Sequence, residues 1–169
     1  GLVAVWLDDS SGTNQVYARR FDGSTWAVLG AASGAGISAA PADATDLTVA
    51  TDGTRIAVGW SGLSGDDHQI YVRQFNGSVW QDLPGAGGAQ GLSASTGDHR
   101  APTLAYGGGT LVVAWQRMLD GYQNLQGRSF DGAAWTDLGA LTGHSPATDN
   151  ATIARDARLA SGGGRLWLF

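Results

Sequence analysis

The 169-residue sequence contains no cysteine, no glutamate and no lysine. Without cysteine, the chain has no disulfide and no thiolate site, which is compatible with any cellular compartment. All fifteen acidic residues are aspartate and all ten basic residues are arginine. Glutamate and lysine favour helices, whereas the abundant glycine, aspartate, serine and threonine favour turns, so the composition predicts an all-β chain nearly free of helix.

Long apolar runs and clusters of positive charge are also missing. No stretch approaches the roughly 18 apolar residues of a membrane-spanning helix, so we expect no membrane span. No signal peptide precedes Gly1, although an export signal is removed from a mature protein. The net charge is -5 and the arginines are dispersed, which argues against a nucleic-acid partner.

A twelve-residue motif occurs three times, as QVYARRFDGSTW at 15–26, QIYVRQFNGSVW at 69–80 and NLQGRSFDGAAW at 124–135. Apolar and polar residues alternate up to a phenylalanine, and then Asp-Gly or Asn-Gly predicts a type I′ turn. Such a turn places each following tryptophan at the same position on the return strand. We expect the aromatic residues of the repeats to be core: Trp6, Trp26, Trp60, Trp80, Trp115, Trp135, Phe21, Phe75 and Phe130.

A second hairpin motif alternates with the first, at 47–60 and 102–115, with a partial copy at 157–169. Trp6, Trp60 and Trp115 are 54 and 55 residues apart. Two hairpins make four strands per period, which is typical of propeller blades. We therefore predict an all-β β-propeller segment of about three four-stranded blades. Its repeats span 2–55, 56–110 and 111–165, and a fourth repeat begins at 166–169.

The strand order assigns the connections to two faces. The turns at 51–54, 107–109 and 162–164 and the Asp-Gly or Asn-Gly turns are short and share one face. The opposite face is expected to carry long loops at 7–14, 61–68 and 116–123 together with the connections between blades. Because binding residues concentrate on such loops, the sequence predicts ligand-binding residues there: Asn14, Asp66, Asp67, His68 and Tyr122.

Nothing in the sequence predicts a metal site or a cofactor. His68, His99 and His144 occupy different phases of the repeat and lack the spacing of metal ligands. The aspartates at Asp66, Asp67 and Asp120 lack the alternating pattern of a calcium loop. No pair of carboxylates and no Ser/His/Asp order stands out, so the residues predict no catalytic site and no enzyme.

The motifs as a whole resemble bacterial β-propeller repeats of the Kelch and sialidase-like, or Asp-box, type. Asp22, Gly23, Thr25 and Trp26 match part of the Asp-box motif, although Asp and Gly are adjacent here and the leading serine is missing. The resemblance implies that the motif is a structural brace of a hairpin. Sialidase activity would require a glutamate, which this chain lacks.

Two functional hypotheses follow from these patterns. The first is a non-catalytic binding module that holds a glycan or a protein at its long-loop face. The second is a structural scaffold segment of a larger extracellular or cell-envelope protein, or of an enzyme whose catalytic residues lie elsewhere. Either is expected outside the cell or in its envelope.

The number of blades predicts what this chain associates with. Three blades do not close a propeller, since closed rings contain about four to eight. We expect either the rest of a longer propeller or self-association of this chain into a ring, as a dimer of six blades or a trimer of nine.

Overall fold

The computed structural model describes residues 1–30, 36–39, 42–87, 90–141, 156–163 and 165–169. All regular structure in these ranges is β-strand, which confirms the all-β prediction. No helix in the described part of the chain is long and apolar enough to cross a membrane.

The described residues form thirteen strands in four antiparallel sheets, which we number as blades 1 to 4. Blade 1 contains β1 (Leu2–Asp8), β2 (Gln15–Phe21) and β3 (Trp26–Val28). Blade 2 contains β4 (Ala44–Thr51), β5 (Ile56–Ser64), β6 (Asp67–Phe75) and β7 (Trp80–Asp82). Blade 3 contains β8 (Asp98–Gly107), β9 (Thr110–Leu119), β10 (Tyr122–Phe130) and β11 (Trp135–Ala140). Blade 4 contains β12 (Leu159–Gly162) and β13 (Arg165–Leu168).

The repeated motif forms the predicted hairpin in blades 1 to 3. Phe21 pairs with Trp26, and the corresponding residues pair in the same register in the next two blades. The turn is different from the predicted type I′, because Gly23 has positive φ and Asp22 does not. Asp22 Oδ1 instead accepts hydrogen bonds from the backbone N–H groups of Ser24 (2.8 Å) and Thr25 (2.9 Å). An Asx turn within a four-residue loop therefore closes the hairpin.

Two of the predicted long loops are wrong. Strands β5 and β6 extend until Ser64 pairs with Asp67, which leaves a turn of two residues. Strands β9 and β10 likewise extend until Leu119 pairs with Tyr122, and Asp120 and Gly121 of the turn both have positive φ. These residues have the backbone conformation of a tight hairpin, so polarity alone was misleading there. In the described part of the chain, the 7–14 region retains a loop, between β1 and β2.

The inner strands β4 and β8 are longer than predicted and carry an irregularity at the same place. Their register shifts between Thr45 and Thr48 and between Arg100 and Thr103. Asp46 and Ala101 have φ values of 52° and 50° at these points. The predicted turn at 162–164 falls partly outside the described residues, because these end at 163 and resume at 165.

The hydrophobic core lies between successive blades. Between blades 1 and 2, Val16 and Ile37 pack with Val58, Trp60 and Phe75. Between blades 2 and 3, a second cluster combines residues such as Ile70 and Val72 with Leu104, Val113 and Trp115. Blade 2 therefore buries both of its faces, as its nearly continuous apolar strand β5 requires.

Candidate functional site

The connection after blade 1 folds back onto strand β2 through Ile37 and Ser38. The Ile37 N–H donates to the Val16 carbonyl (2.6 Å). Ser38 Oγ donates to Gln15 Oε1 (2.6 Å) and accepts from the Val16 N–H (3.0 Å). Gly36, which precedes them with a φ of 68°, lies where a Cβ atom would be 2.7 Å from the Val16 carbonyl oxygen.

The connection after blade 2 repeats this arrangement 55 residues later. The Leu92 N–H donates to the Ile70 carbonyl (2.6 Å), and Ser93 Oγ donates to Gln69 Oε1 (2.6 Å) and accepts from the Ile70 N–H (3.0 Å). This brace is not among the features predicted from the sequence, although Gly-Ile-Ser at 36–38 and Gly-Leu-Ser at 91–93 are its visible signal. Both connections are therefore structural where they leave a blade.

The next blade then contacts this braced connection. Arg73 Nη1 donates to the Ile37 carbonyl (2.6 Å), and Arg128 Nη1 donates to the Leu92 carbonyl (2.7 Å). Trp80 Nε1 donates to the Leu29 carbonyl (2.7 Å). The repeated arginine thus joins blades 2 and 3 to the connection that precedes each of them, and Trp80 adds a second bond in blade 2. The corresponding Nε1 of Trp135 in blade 3 is buried without a hydrogen-bond partner among the described residues.

The five predicted ligand-binding residues do not form one cluster of free side chains. The Asn14 backbone N–H donates to Asp43 Oδ1 (2.6 Å). Asp66 is exposed in the β5–β6 turn, whereas Asp67 Oδ2 accepts from the Gly97 N–H (3.2 Å). Tyr122 is half-buried at the start of β10. A ligand role for these residues stays a prediction.

His68 belongs to a charged group with Asp98 and Arg100. Asp98 Oδ1 accepts from the His68 backbone N–H (2.9 Å), and Asp98 Oδ2 lies 2.6 Å from Arg100 Nε. Burial raises the pKa of the Asp98 carboxyl, but hydrogen bonds from Arg100 and His68 outweigh it and hold that pKa below its usual value. The carboxylate therefore stays ionised and structural.

The His68 ring has two competing contacts. Its Nδ1 lies 2.9 Å from Asp98 Oδ1 and 2.9 Å from Arg100 Nη2. One nitrogen does not donate to a carboxylate and accept from a guanidinium at once, so one tautomer bonds Asp98 and the other bonds Arg100. This group is a brace where β8 begins.

His99 is fully buried beside Ser95, but the pair is not a nucleophile with its base. Trp115 Nε1, which only donates, bonds His99 Nδ1 (2.9 Å), so the neutral ring carries its proton on Nε2. Nε2 faces Ser95 Oγ at 3.2 Å and the Ser95 carbonyl at 3.3 Å. Burial lowers the pKa of His99, so the ring stays neutral and its Nε2 donates instead of accepting a proton.

The described residues contain no group of three or more His, Asp, Glu or Cys side chains that could hold a metal ion. Every described aspartate whose pKa departs from its usual value has it lowered. For Asp22 and Asp131 the main cause is a hydrogen bond from a backbone N–H, of Thr25 and Ala134 respectively. His144 lies outside the described residues.

The repeat aromatics differ in burial. The structure buries Trp60, Trp115, Phe75 and Phe130. Four others are half-buried: Trp6, Trp80, Trp135 and Phe21. Trp26 is 44% exposed, so the expectation of a core residue fails at this position. The physical reason is that no described blade covers the side of blade 1 that corresponds to the Trp80 side of blade 2.

No protein-family model matches the chain, and no curated protein matches its sequence. Its fold is similar to the GH43 endo-arabinanase from Bacillus licheniformis, with a TM-score of 0.46 and 17% identity, over 73% of this chain and 46% of that one. The native arabinanase of Bacillus subtilis gives a TM-score of 0.45 and 18% identity over the same shares. A xylan β-1,4-xylosidase from Bacillus halodurans gives 0.48 and 16%, over 76% of this chain and 25% of that one.

These likenesses concern the fold alone, which is all-β and propeller-like, and a closed ring and the Kelch part of the resemblance stay predictions. The chain spans less than half the length of the structures that it matches. The comparison contradicts the expectation of a non-catalytic binding module that is no enzyme, because all three neighbours are glycoside hydrolases. That expectation is wrong, and we set it aside.

Proposed function

We propose that this chain is a scaffold segment that supplies successive blades to the propeller of a larger glycoside-processing enzyme, whose catalytic residues lie outside the described ones. The observation that carries the proposal is the way the blades join. Blades 2 and 3 each direct an arginine at the braced connection of the preceding blade, and blade 2 adds a tryptophan. A blade of this type is built to follow another.

Blade 1 has the same side chains at the corresponding positions, without a described blade to receive them. Arg19 and Trp26 correspond to Arg73 and Trp80. Among the described strands, β1 pairs with β2 alone, whereas the corresponding strands β5 and β9 each pair on both sides. A preceding blade would cover the exposed face of blade 1, and an inner strand would pair with the free edge of β1.

The carboxylates support a catalytic centre elsewhere. A general acid in glycoside hydrolysis needs a raised pKa, together with a second carboxylate roughly 5–10 Å away. The shifted aspartates of the described residues, such as Asp98, have lowered pKa values and serve turns and braces. In this proposal the segment contributes blades to the propeller scaffold, and glycan hydrolysis is the activity of the whole protein.

The experiment is to detect the native protein in its source with an antibody raised against this chain, and to measure its intact mass. The proposal predicts a polypeptide well above 17.4 kDa that hydrolyses a glycan, while the purified chain alone does not. A native product of 17.4 kDa overturns the proposal. A longer product with no action on glycans retains the scaffold and overturns the enzyme.

A second candidate is self-association into a ring. It is favoured by the two open edges, since β1 lacks an inner neighbour and the β12–β13 hairpin lacks outer neighbours among the described residues. Copies joined head to tail would cover both edges. Light scattering that gives a discrete dimer or trimer supports this candidate, and a well-folded monomer contradicts it.

A further inference from the structure

Blade 3 departs from blades 1 and 2 at one side chain that covers a core tryptophan. Trp6 stacks on Tyr17 with ring centroids 6.0 Å apart, and Trp60 stacks on Tyr71 at 5.7 Å. The residue paired with Trp115 in the same register is Gln126. The aromatic cover is therefore replaced by an amide in blade 3.

A second substitution accompanies the first. Two residues after Trp60 stands Gly62, where a Cβ atom would lie 3.1 Å from the ring of Tyr71. Two residues after Trp115 stands Arg117. Blade 2 thus combines a glycine with a large tyrosine, and blade 3 combines an arginine with a smaller glutamine.

The exchange accompanies a cavity of about 180 Å³ in blade 3. Its walls include Ser93, Ser95, Trp115, Arg117, Gln126 and Arg128. Because one water occupies roughly 30 Å³ of liquid, the cavity has room for about six waters or for a small polar molecule. The polar walls distinguish it from an apolar packing defect.

A salt bridge that closes the corresponding place in blade 2 is missing in blade 3. Arg73 Nε and Nη2 bond the two carboxylate oxygens of Asp82, at 2.7 and 3.2 Å. In blade 3 the corresponding pair is Arg128 and Asp137. Asp137 Oδ1 accepts from the Gly139 N–H (2.7 Å) instead, and no ion pair joins it to Arg128 in the described structure.

Arg128 still donates to the Leu92 carbonyl through Nη1 (2.7 Å), as Arg73 donates to Ile37. The second cation, Arg117, uses Nε on the Thr96 carbonyl (2.9 Å) and has no ion pair among the described side chains. Two guanidinium groups therefore line one small cavity with one carboxylate, Asp137, at its wall. The formal charge of this wall is positive by one.

We propose that this cavity in blade 3 binds the carboxylate of a small hydroxylated acid. The ligand carboxylate takes the place on Arg128 that Asp82 takes on Arg73, where a planar carboxylate matches the guanidinium. The Gln126 amide and the Ser95 hydroxyl are the groups available to its hydroxyls, since the Ser93 hydroxyl is engaged in the brace with Gln69 and Ile70. The site is independent of the proposed scaffold function, since it depends on blade 3 and its connection alone.

Isothermal titration of the purified chain tests the proposal with three probes: galacturonate as a sugar acid, N-acetylaspartate as an acidic side chain, and galactose as a neutral control. We expect an acid to bind and galactose not to bind. Binding of both acids identifies a general carboxylate site, and binding of galacturonate alone adds recognition of its hydroxyls. If neither acid binds, or if galactose binds as tightly as the acids, the proposal is overturned.

Two variants test the residues. Arg128→Gln is expected to weaken acid binding at least about tenfold, because a charge-assisted bond is lost. The double variant Arg117→Gly with Gln126→Tyr rebuilds the blade 2 pair, and we expect it to abolish binding. Arg73→Gln is the matched control in blade 2 and should leave binding unchanged. If Arg128→Gln binds as tightly as the original chain, the site is wrong, even where the double variant fails to fold.

Discussion

Trp26 and Trp80 occupy the same place in the same hairpin, yet only Trp80 belongs to a core. Each pairs with a phenylalanine across the turn, and the ring centroids lie 5.2 and 5.4 Å apart. Trp80 also reaches the preceding blade, where it bonds the Leu29 carbonyl and lies against Gly30. Trp26 has no preceding blade in the described structure and is 44% exposed. The motif makes the hairpin, and the neighbouring blade makes the core.

The largest expected effect comes from truncating the two tryptophans. Trp80→Ala should lower the free energy of unfolding by about 3 kcal/mol, because it removes packing and the bond to Leu29. Trp26→Ala should cost less than about 1 kcal/mol, because its ring is already partly in water. Urea unfolding of both variants measures the difference. Equal losses of unfolding free energy in the two variants would show that the hairpin itself, and not the neighbouring blade, holds the tryptophan side chain in place.

The repeated arginine sharpens the same comparison at a smaller scale. Arg73→Ala should destabilise the chain by about 1–2 kcal/mol, since the Ile37 carbonyl and Asp82 lose their partner. Among the described residues, Arg19→Ala removes a contact of its guanidinium with the Trp6 ring, at 5.9 Å, and should cost about 0.5 kcal/mol or less. Thermal unfolding of the two variants checks which one loses more stability. A larger loss of stability for Arg19→Ala than for Arg73→Ala would contradict the comparison.

The sequence predicted the repeat period, the hairpins and their register well, because spaced aromatic residues and turn glycines encode these features locally. It predicted a type I′ turn at Asp22-Gly23 where the structure has an Asx turn, since Asp-Gly is compatible with several turn types. It also missed the brace at Ser38 and the covering of Trp60 by Tyr71. The brace depends on contacts between residues 22 and 23 positions apart. The cover lies across one hairpin, and its loss in blade 3 is visible only by comparing repeats.

Acid provides a third test, at the junction of blades 2 and 3. The pKa of Asp98 is lowered in the folded chain, so its contribution to stability is present above the unfolded pKa of about 3.9 and is lost as the pH falls through the folded value. Asp98→Asn should therefore flatten the loss of stability below about pH 4. We expect less than about 1 kcal/mol, measured by unfolding between pH 2 and roughly 6. An unchanged acid profile would show that the carboxylate contributes nothing to this junction.

The smallest effect is expected in the β5–β6 turn. Asp66→Ala should change stability by less than about 0.5 kcal/mol, because its side chain is exposed. Asp67→Ala should cost more, since Asp67 Oδ2 accepts from Gly97 of the next connection. Melting temperatures of the two variants compare a turn residue with a residue that joins blades, and a larger loss for Asp66 would contradict this account.

The central claim is that blade 1 is built to follow another blade, and Trp26→Ala in two contexts tests it most directly. The free energy of unfolding is measured for this variant in the isolated chain and in a longer protein that carries a preceding blade. We predict that the cost rises from less than about 1 kcal/mol in the isolated chain to about 3 kcal/mol in the longer protein, as for Trp80. The same small cost in both contexts would contradict the claim.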